Sequence, residues 1–168
     1  HSLRAIPMAA LSDGERFLVN RLAMVMVPGL ELTDPRPLPS TSAKTLLAGL
    51  TESVQGYPAL AHVGSELDNI RAQRSGRTLK NEMCVREQLE QELTRERYSI
   101  AHIASHGEFT GDVRGSFVLA YDSKISMDDL ARFIGFNRLR DDPLDLLTLS
   151  ACQTAAGDER AMLGLAGI

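Results

Sequence analysis

The sequence predicts an α/β fold built on a mostly parallel sheet, and three observations predict it. Strand-like and helix-like segments alternate along the chain with short loops between them, as in a parallel sheet with helices on both faces. Two strand-like segments, YSIAHIA (98–104) and LDLLTLSA (144–151), are almost uniformly apolar, which is typical of the doubly buried centre of such a sheet. A chain of 168 residues is also long enough to bury one substantial core.

Composition excludes several classes of protein. With 43% hydrophobic and 24% charged residues and a formal net charge of -4, the chain is neither disordered in composition nor basic enough to attract nucleic acid or anionic lipid. No run approaches the roughly 20 apolar residues of a membrane span, and the N-terminus lacks a signal-peptide pattern. Two cysteines, Cys84 and Cys152, fit a reducing compartment. We therefore expect a cytoplasmic protein with no membrane segment and no direct nucleic-acid binding.

The first part of the chain predicts a hairpin and a connector. Residues 1–32 contain two strand-like runs separated by Asp13-Gly14, a dipeptide that favours a tight turn, so we expect a β-hairpin with an extended second arm. Residues 33–42, TDPRPLPSTS, contain three prolines that cannot donate backbone hydrogen bonds. This segment is expected to be an exposed connector.

Residues 43–168 predict the α/β core of a single domain. Short apolar runs indicate strands at 43–50, 76–83, 98–106, 116–126 and 144–152. Apolar residues at helical spacing indicate helices at 58–72, 85–97 and 127–136, and residues 161–168 begin a final helix. Ser126 and Asp129 form a plausible capping pair for the third of these helices.

Two histidines, His102 and His106, lie four residues apart in the predicted strand YSIAHIASHGEF. A pair at this spacing binds zinc when a helix brings the two side chains together. In a strand, at roughly 3.3 Å per residue, the same pair is about 13 Å apart, too far to share one ion. We therefore expect no metal site and no cofactor. His102, inside the strand, is expected to be a buried, hydrogen-bonded core residue.

His106 and Cys152 each stand where a predicted strand ends. An imidazole with a reference pKa near 6.5 acts as general acid or base at neutral pH, although Ser-His-Gly by itself is also typical of a surface turn. The Cys152 thiol would become reactive where a nearby imidazole and a helix N-terminus stabilise its thiolate. Because ligands bind at the carboxyl ends of strands in such sheets, we expect both side chains at one rim. Cys84 is expected to be buried as a small apolar residue.

Together, these two segments resemble the caspase-like cysteine peptidases, in which a strand ending in Ser-His-Gly precedes a strand ending in Ser-Ala-Cys. Within that group the sequence is most similar to the CHAT domains. LRAIPMAAL with LAMVMVPG resembles the family's N-terminal hairpin, AHIASHGEF its histidine motif, and LLTLSACQT with GLAGI its cysteine motif. The resemblance covers almost the whole chain and implies a caspase-like three-layer sandwich.

The resemblance also implies a chemistry. Cys152 would attack a peptide carbonyl, His106 would protonate the leaving amine, and the backbone N–H groups of Gly107 and Cys152 would hold the oxyanion. The substrate would be a protein or peptide. The candidates for substrate binding are five polar residues near the rim: Glu108, Asp112, Gln153, Asp158 and Glu159. The acidic residues among them would favour a substrate with a basic side chain, unless they are simply solvated loop residues.

Three functions stay open at this point. The first is a cysteine endopeptidase regulated by other domains of a longer chain, since CHAT domains are commonly joined to tetratricopeptide or other sensing modules. The second is a catalytically silent interaction module, and the third is a thiol hydrolase of small amides or esters on a flavodoxin-like sheet. CHAT domains are expected to continue beyond GLAGI into a further strand and a tryptophan-bearing motif. We therefore expect both ends to be cut and the C-terminal part of the domain to be missing.

Overall fold

The computed structural model describes residues 10–22, 44–110, 113–135 and 144–153. The chain divides into two compact units, His1–Pro35 and Arg36–Ile168.

In the first unit, the predicted turn at Asp13-Gly14 is present. Ser12 and Phe17 form an antiparallel bridge around it, and Gly14 adopts a φ of 98°, which glycine tolerates without strain. The chain then continues as a 3₁₀ turn at Leu18–Asn20 instead of an extended arm. The N–H groups of Arg21 and Leu22 both donate to the Leu18 carbonyl, which closes this turn. The outer ends of both predicted arms and the connector 33–42 lie outside the described residues.

In the second unit, strands and helices alternate as the sequence predicts. The strands are β1 (Thr45–Gly49), β2 (Gly76–Lys80), β3 (Ile100–Glu108), β4 (Phe117–Leu119), β5 (Lys124–Ser126) and β6 (Leu146–Gln153). The helices are α1 (Val63–Gln73), α2 (Arg86–Arg95) and α3 (Met127–Gly135), with short 3₁₀ turns at Asn81–Met83 and Val113–Gly115.

These strands form one six-stranded sheet with β3 in its interior. The order is β2-β1-β3-β4-β5, and β6 also pairs with β3. The pairs β1–β2, β1–β3 and β3–β6 are parallel, whereas β3–β4 and β4–β5 are antiparallel. Because Glu108 pairs with both β4 and β6, these two strands flank the end of β3 on opposite sides. Strand β4 therefore continues the side of β3 on which β1 lies.

Helices cover both faces of the sheet. On one face, Leu47 of β1 and Ala104 of β3 pack with Val63 and Leu67 of α1. The opposite face holds the larger core, in which alternate strand residues meet the apolar stripes of α2 and α3: Leu46, Ala48, Ala101, Ile103, Leu89, Leu93, Leu130 and Phe133. This arrangement is the predicted α/β sandwich and is consistent with a caspase-like fold.

Three details differ from the prediction. The single strand expected at 116–126 is two short antiparallel strands, because the chain reverses at Tyr121–Ser123 and the Ala120 N–H donates to the Ser123 carbonyl. Helix α1 begins at Val63 instead of Pro58, since the preceding residues form part of a loop. Strand β6 is only half-buried, and within the described part of the chain it pairs on one side alone.

Among the helices that the structure describes, none has the length and apolar character needed to cross a membrane.

Candidate active site

The end of β3 contains an irregularity that faces the end of β6. Ser105 of β3 pairs with Ala151 of β6, and Glu108 pairs with Gln153. Two β3 residues, His106 and Gly107, thus lie opposite the single intervening β6 residue. That residue is Cys152, so the backbones of the predicted histidine and cysteine meet on adjacent parallel strands. Bulges of this kind redirect side chains and are frequent next to active sites.

Gly107 is favoured by the close approach of three strands at this bulge. A Cβ atom at this position would lie 3.0 Å from the Phe117 carbonyl oxygen of β4 and 3.1 Å from the Ala151 Cβ of β6. It would also lie 3.2 Å from Cε2 of Phe109. Since the nearest of these is a backbone oxygen inside the sheet, a side chain would push the strands apart.

The His106 imidazole is half-exposed and is held from the loop that follows β1. Its Nε2 lies 2.7 Å from the carbonyl oxygen of Pro58. A carbonyl oxygen only accepts hydrogen bonds, so Nε2 carries the proton in this contact. In neutral His106 the Nδ1 atom is therefore unprotonated, and an unprotonated ring nitrogen can accept a proton. The Tyr57 ring lies beside the imidazole, with centroids 5.0 Å apart and planes tilted by 36°.

The loop between β1 and α1 contains a tight turn that presents Pro58. Val54 and Tyr57 form an antiparallel bridge, and their N–H groups each donate to the other's carbonyl. Between them, Gln55 (φ 52°) and Gly56 (φ 83°) both have positive φ, as in a type I′ turn. We call residues Val54–Pro58 the histidine-binding turn.

Sequence analysis missed the histidine-binding turn. The group that contacts His106 is a backbone carbonyl, and a search for reactive side chains does not detect one. The available signal was Gln55-Gly56 followed by Pro58, a composition that favours a turn. The helical spacing of apolar residues behind Pro58 instead predicts that a helix begins there.

The remaining predicted site residues are only partly described. Glu108 is exposed at the end of β3. For Cys152 and Gln153 the structure describes the backbone, which lies in β6. Asp112 and Asp158 lie outside the described residues. The assignment of these residues to catalysis or substrate binding stays a prediction.

The other histidine of the motif and the other cysteine are structural. His102 is 8% exposed, and its Nε2 lies 2.9 Å from Oε1 of Glu66 in α1. The prediction that His102 is a buried, hydrogen-bonded core residue is confirmed. Cys84 is fully buried, and burial raises the pKa of its thiol to about 12. Its thiol is therefore unreactive at neutral pH.

One comparison with known proteins agrees with the motif analysis. A family model described as the CHAT domain matches residues 1–168, the whole chain. Among solved structures, the crystal structure of protein GSU0716 from Geobacter sulfurreducens is similar at 13% identity and a TM-score of 0.49. The match covers 67% of this chain and 51% of that one, so the chain spans about half the length of that protein. No curated protein matches the chain significantly.

Proposed function

The chain belongs to the CHAT domain family, which is associated with caspase-like cysteine peptidases, and from this premise we propose that it is a cysteine endopeptidase with a Cys152–His106 dyad. The observation that carries the proposal is the bulge at the end of β3, which sets His106 and Gly107 opposite Cys152 on the neighbouring strand. Adjacent strands lie about 4.8 Å apart. Side chains on the same face of two neighbouring strands can approach closely enough for proton exchange between an imidazole and a thiol.

In the proposed mechanism, the hydrogen bond to Pro58 assigns the roles of the imidazole nitrogens. With Nε2–H donated to the Pro58 carbonyl, Nδ1 takes the proton of the Cys152 thiol. The same contact stabilises the imidazolium that results, because a carbonyl oxygen is a good acceptor for a charged donor. Nucleophile, base and orienting group thus follow the logic common to covalent catalysis.

The bond changes in the proposed reaction balance in two steps. The thiolate sulfur attacks the scissile carbonyl carbon, and the tetrahedral intermediate collapses as the C–N bond breaks and Nδ1–H protonates the leaving amine. Water, deprotonated by the now neutral His106, then attacks the thioester. The carboxylic acid product leaves and the thiol is restored.

The backbone N–H groups of Gly107 and Cys152 are the proposed oxyanion donors. Both residues lie at the bulge where β3 and β6 diverge from regular pairing. Fixed donors aimed at the developing negative charge are typically worth roughly 3 kcal/mol of barrier each. Substrate binding by Glu108, Asp112, Gln153 and Asp158, and control by further domains such as tetratricopeptide repeats, belong to the same proposal.

The test combines labelling with turnover. A peptidyl thiol trap is expected to label Cys152, while Cys84 serves as an internal control because its buried thiol has a pKa of about 12. Cys152→Ala and His106→Ala are each expected to abolish cleavage of a peptide library, with unchanged circular dichroism. Full turnover by Cys152→Ala would refute the proposal. Labelling of neither cysteine by any trap would instead indicate a silent interaction module, and turnover of small amides but not longer peptides would indicate a different hydrolase.

A further inference from the structure

We propose that Gln55 is a positioning residue for His106, because its side-chain amide fastens the histidine-binding turn to the end of β4. The inference rests on the proposed function, since it assigns a role to His106 alignment. Gln55 is exposed, and the hydrogen bonds described for its side chain go to Ala120 and Tyr121 rather than to the imidazole or to β6. It acts through the turn that carries Pro58.

The contact is made by one amide group and two backbone carbonyls. Nε2 of Gln55 lies 2.9 Å from the Ala120 oxygen and 3.2 Å from the Tyr121 oxygen. Both hydrogens of the amide thus have an acceptor, a use of the side chain that requires a primary amide. The bonds span more than 60 residues of sequence, so they join the turn to a distant part of the fold.

The same segment also fixes β3 immediately before His106. The Ser105 hydroxyl is buried and donates to the Leu119 carbonyl oxygen at 2.6 Å. We call residues Leu119–Tyr121 the β4 anchor. Three successive carbonyls of this anchor thus accept hydrogen bonds from the two segments that control the imidazole: the strand that bears it and the turn that accepts its Nε2–H. The anchor sets the position of one segment relative to the other.

The other end of the loop has its own attachment. The Thr51 N–H donates to Oδ1 of Asn81 at 2.8 Å, which holds the loop where it leaves β1. At the tip, Lys124 places its ammonium 5.9 Å from the centroid of the Tyr57 ring, a weak cation–π contact at an exposed site. Apart from the Pro58 contact with the imidazole, the two Gln55 hydrogen bonds are the directional contacts described between the tip and the rest of the fold. Their loss would let Pro58 shift against β3.

A shift of a few tenths of an ångström at Pro58 would weaken the Nε2–H contact without unfolding the protein. Removing a neutral hydrogen-bonding group of this kind changes a rate by roughly 10-fold. The expected effect falls on kcat and on the reactivity of Cys152. KM is expected to change by less than about 2-fold, because Gln55 does not contact the peptide in this proposal.

The experiment compares Gln55→Glu and Gln55→Ala with Gln91→Glu in the full chain. Gln55→Glu keeps the size of the side chain but replaces both donors with acceptors that face carbonyl oxygens. Gln91 is a matched control, since its amide bonds only to Glu87 within α2 among the contacts described. For each variant, kcat and KM on one peptide, the melting temperature, and the rate of Cys152 alkylation by iodoacetamide as a function of pH are measured.

Both Gln55 variants are expected to lose about 10-fold in kcat. The rate of Cys152 alkylation is expected to rise at a higher pH than in the wild type, because a misaligned imidazolium stabilises the thiolate less. Gln91→Glu is expected to match the wild type in kcat, KM and alkylation, with at most a small fall in melting temperature because the new carboxylate faces Glu87. Suppose that both Gln55 variants keep the wild-type kcat and the wild-type alkylation profile, while His106→Ala loses its turnover and its wild-type alkylation profile. That result would overturn the role of Gln55 and leave the proposed function standing. A His106→Ala protein with the wild-type alkylation profile would instead overturn the proposed function, and this inference with it.

Discussion

At the scale of single residues, two histidines of one strand have different surroundings and different roles. His102 is buried against α1 and bonds to Glu66, whereas His106 is half-exposed at the bulge and bonds to the Pro58 carbonyl. The sequence distinguishes them by position, because one lies inside the apolar run and the other precedes Gly107. The structure supplies the partners, which no local pattern contains.

His102→Ala is expected to lower the free energy of unfolding by about 1 to 3 kcal/mol, since it leaves a cavity and deprives Glu66 of its partner. Thermal unfolding followed by circular dichroism measures this. Glu66→Gln, which keeps a hydrogen-bonding side chain of the same size, is the control and is expected to cost less. Peptide turnover by folded His102→Ala should remain within about 3-fold of wild type. If His102→Ala loses activity at an unchanged melting temperature while His106→Ala remains active, the catalytic role has been assigned to the wrong histidine.

At the scale of secondary-structure elements, the bulge in β3 is a feature that the sequence does not predict. Periodicity correctly indicated a strand through AHIASHG and another through LLTLSAC. It could not indicate that one strand contains an extra residue relative to the other, because register depends on pairing between distant segments. Only the glycine hinted at a close approach at this point.

Gly107→Ala is expected to destabilise the protein by about 1 to 3 kcal/mol, because the new Cβ would crowd β4 and β6. It should also lower kcat by at least about 10-fold, since relief of the contact displaces the bulge that carries His106. Gly64→Ala is the matched control: its Cβ would lie 3.7 Å from Thr51 Cγ2, an ordinary contact, and alanine favours a helix. Unfolding in urea and steady-state kinetics measure the two effects. Wild-type stability and kcat in Gly107→Ala would contradict the assigned close approach.

An ion pair joins helices α2 and α3, and it uses the same Asp129 that the sequence predicts as part of a helix cap. The Asp129 N–H donates to Ser126 Oγ at 3.1 Å, which confirms the capping pair. The Asp129 carboxylate also accepts a two-pronged contact from Arg86 of α2, with both nitrogen–oxygen distances 2.7 Å. The hydrogen bond from Arg86 is the main cause that lowers the pKa of Asp129 to about 2, and the bond from Ser126 contributes.

This pair predicts the pH dependence of stability. Because the folded-state pKa of Asp129 is below its ordinary value near 3.9, its stabilisation is complete above about pH 4 and is lost as the pH falls through about 2. Asp129→Asn is therefore expected to cost about 1 to 2 kcal/mol near pH 7, after allowance for solvent screening, and almost nothing near pH 2. Urea unfolding at several pH values measures the difference. Asp128→Asn, an exposed residue of the same first turn, should show a smaller and flatter effect. A constant Asp129→Asn difference across this range would rule out the ion pair as its source.

At the scale of the whole molecule, parallel topology brings together residues that are 46 positions apart in sequence. The expectation that the His106 and Cys152 side chains lie at one rim followed from the alternation of strands and helices, and the pairing of β3 with β6 sets their backbones on adjacent strands. The antiparallel β4–β5 pair was not predicted as such, because its short strands carry little periodicity. The hydrogen bonds accepted by the β4 anchor and by the Pro58 carbonyl could not be predicted either, for the same reason as the bulge. Each depends on a contact between backbone groups far apart in the chain.

A chelator and an alkylating agent distinguish catalysis by a cysteine from catalysis by a metal ion, because each reagent is expected to inactivate one kind of enzyme and not the other. The Nε2 atoms of His102 and His106 bond to different partners, Glu66 and Pro58, and the two histidines lie four positions apart on a strand, about 13 Å at roughly 3.3 Å per residue. At that separation the two rings cannot share one ion, so a chelator such as EDTA is expected to leave peptide turnover within about 2-fold of the untreated value. Iodoacetamide is expected to abolish turnover in proportion to Cys152 modification, since the nucleophile is a thiolate. Cys84→Ser is the control variant, and it should be inactivated at the wild-type rate because its missing thiol is buried in the native protein. Activity lost to the chelator and restored by zinc would mean that the reaction does not proceed through the proposed dyad alone.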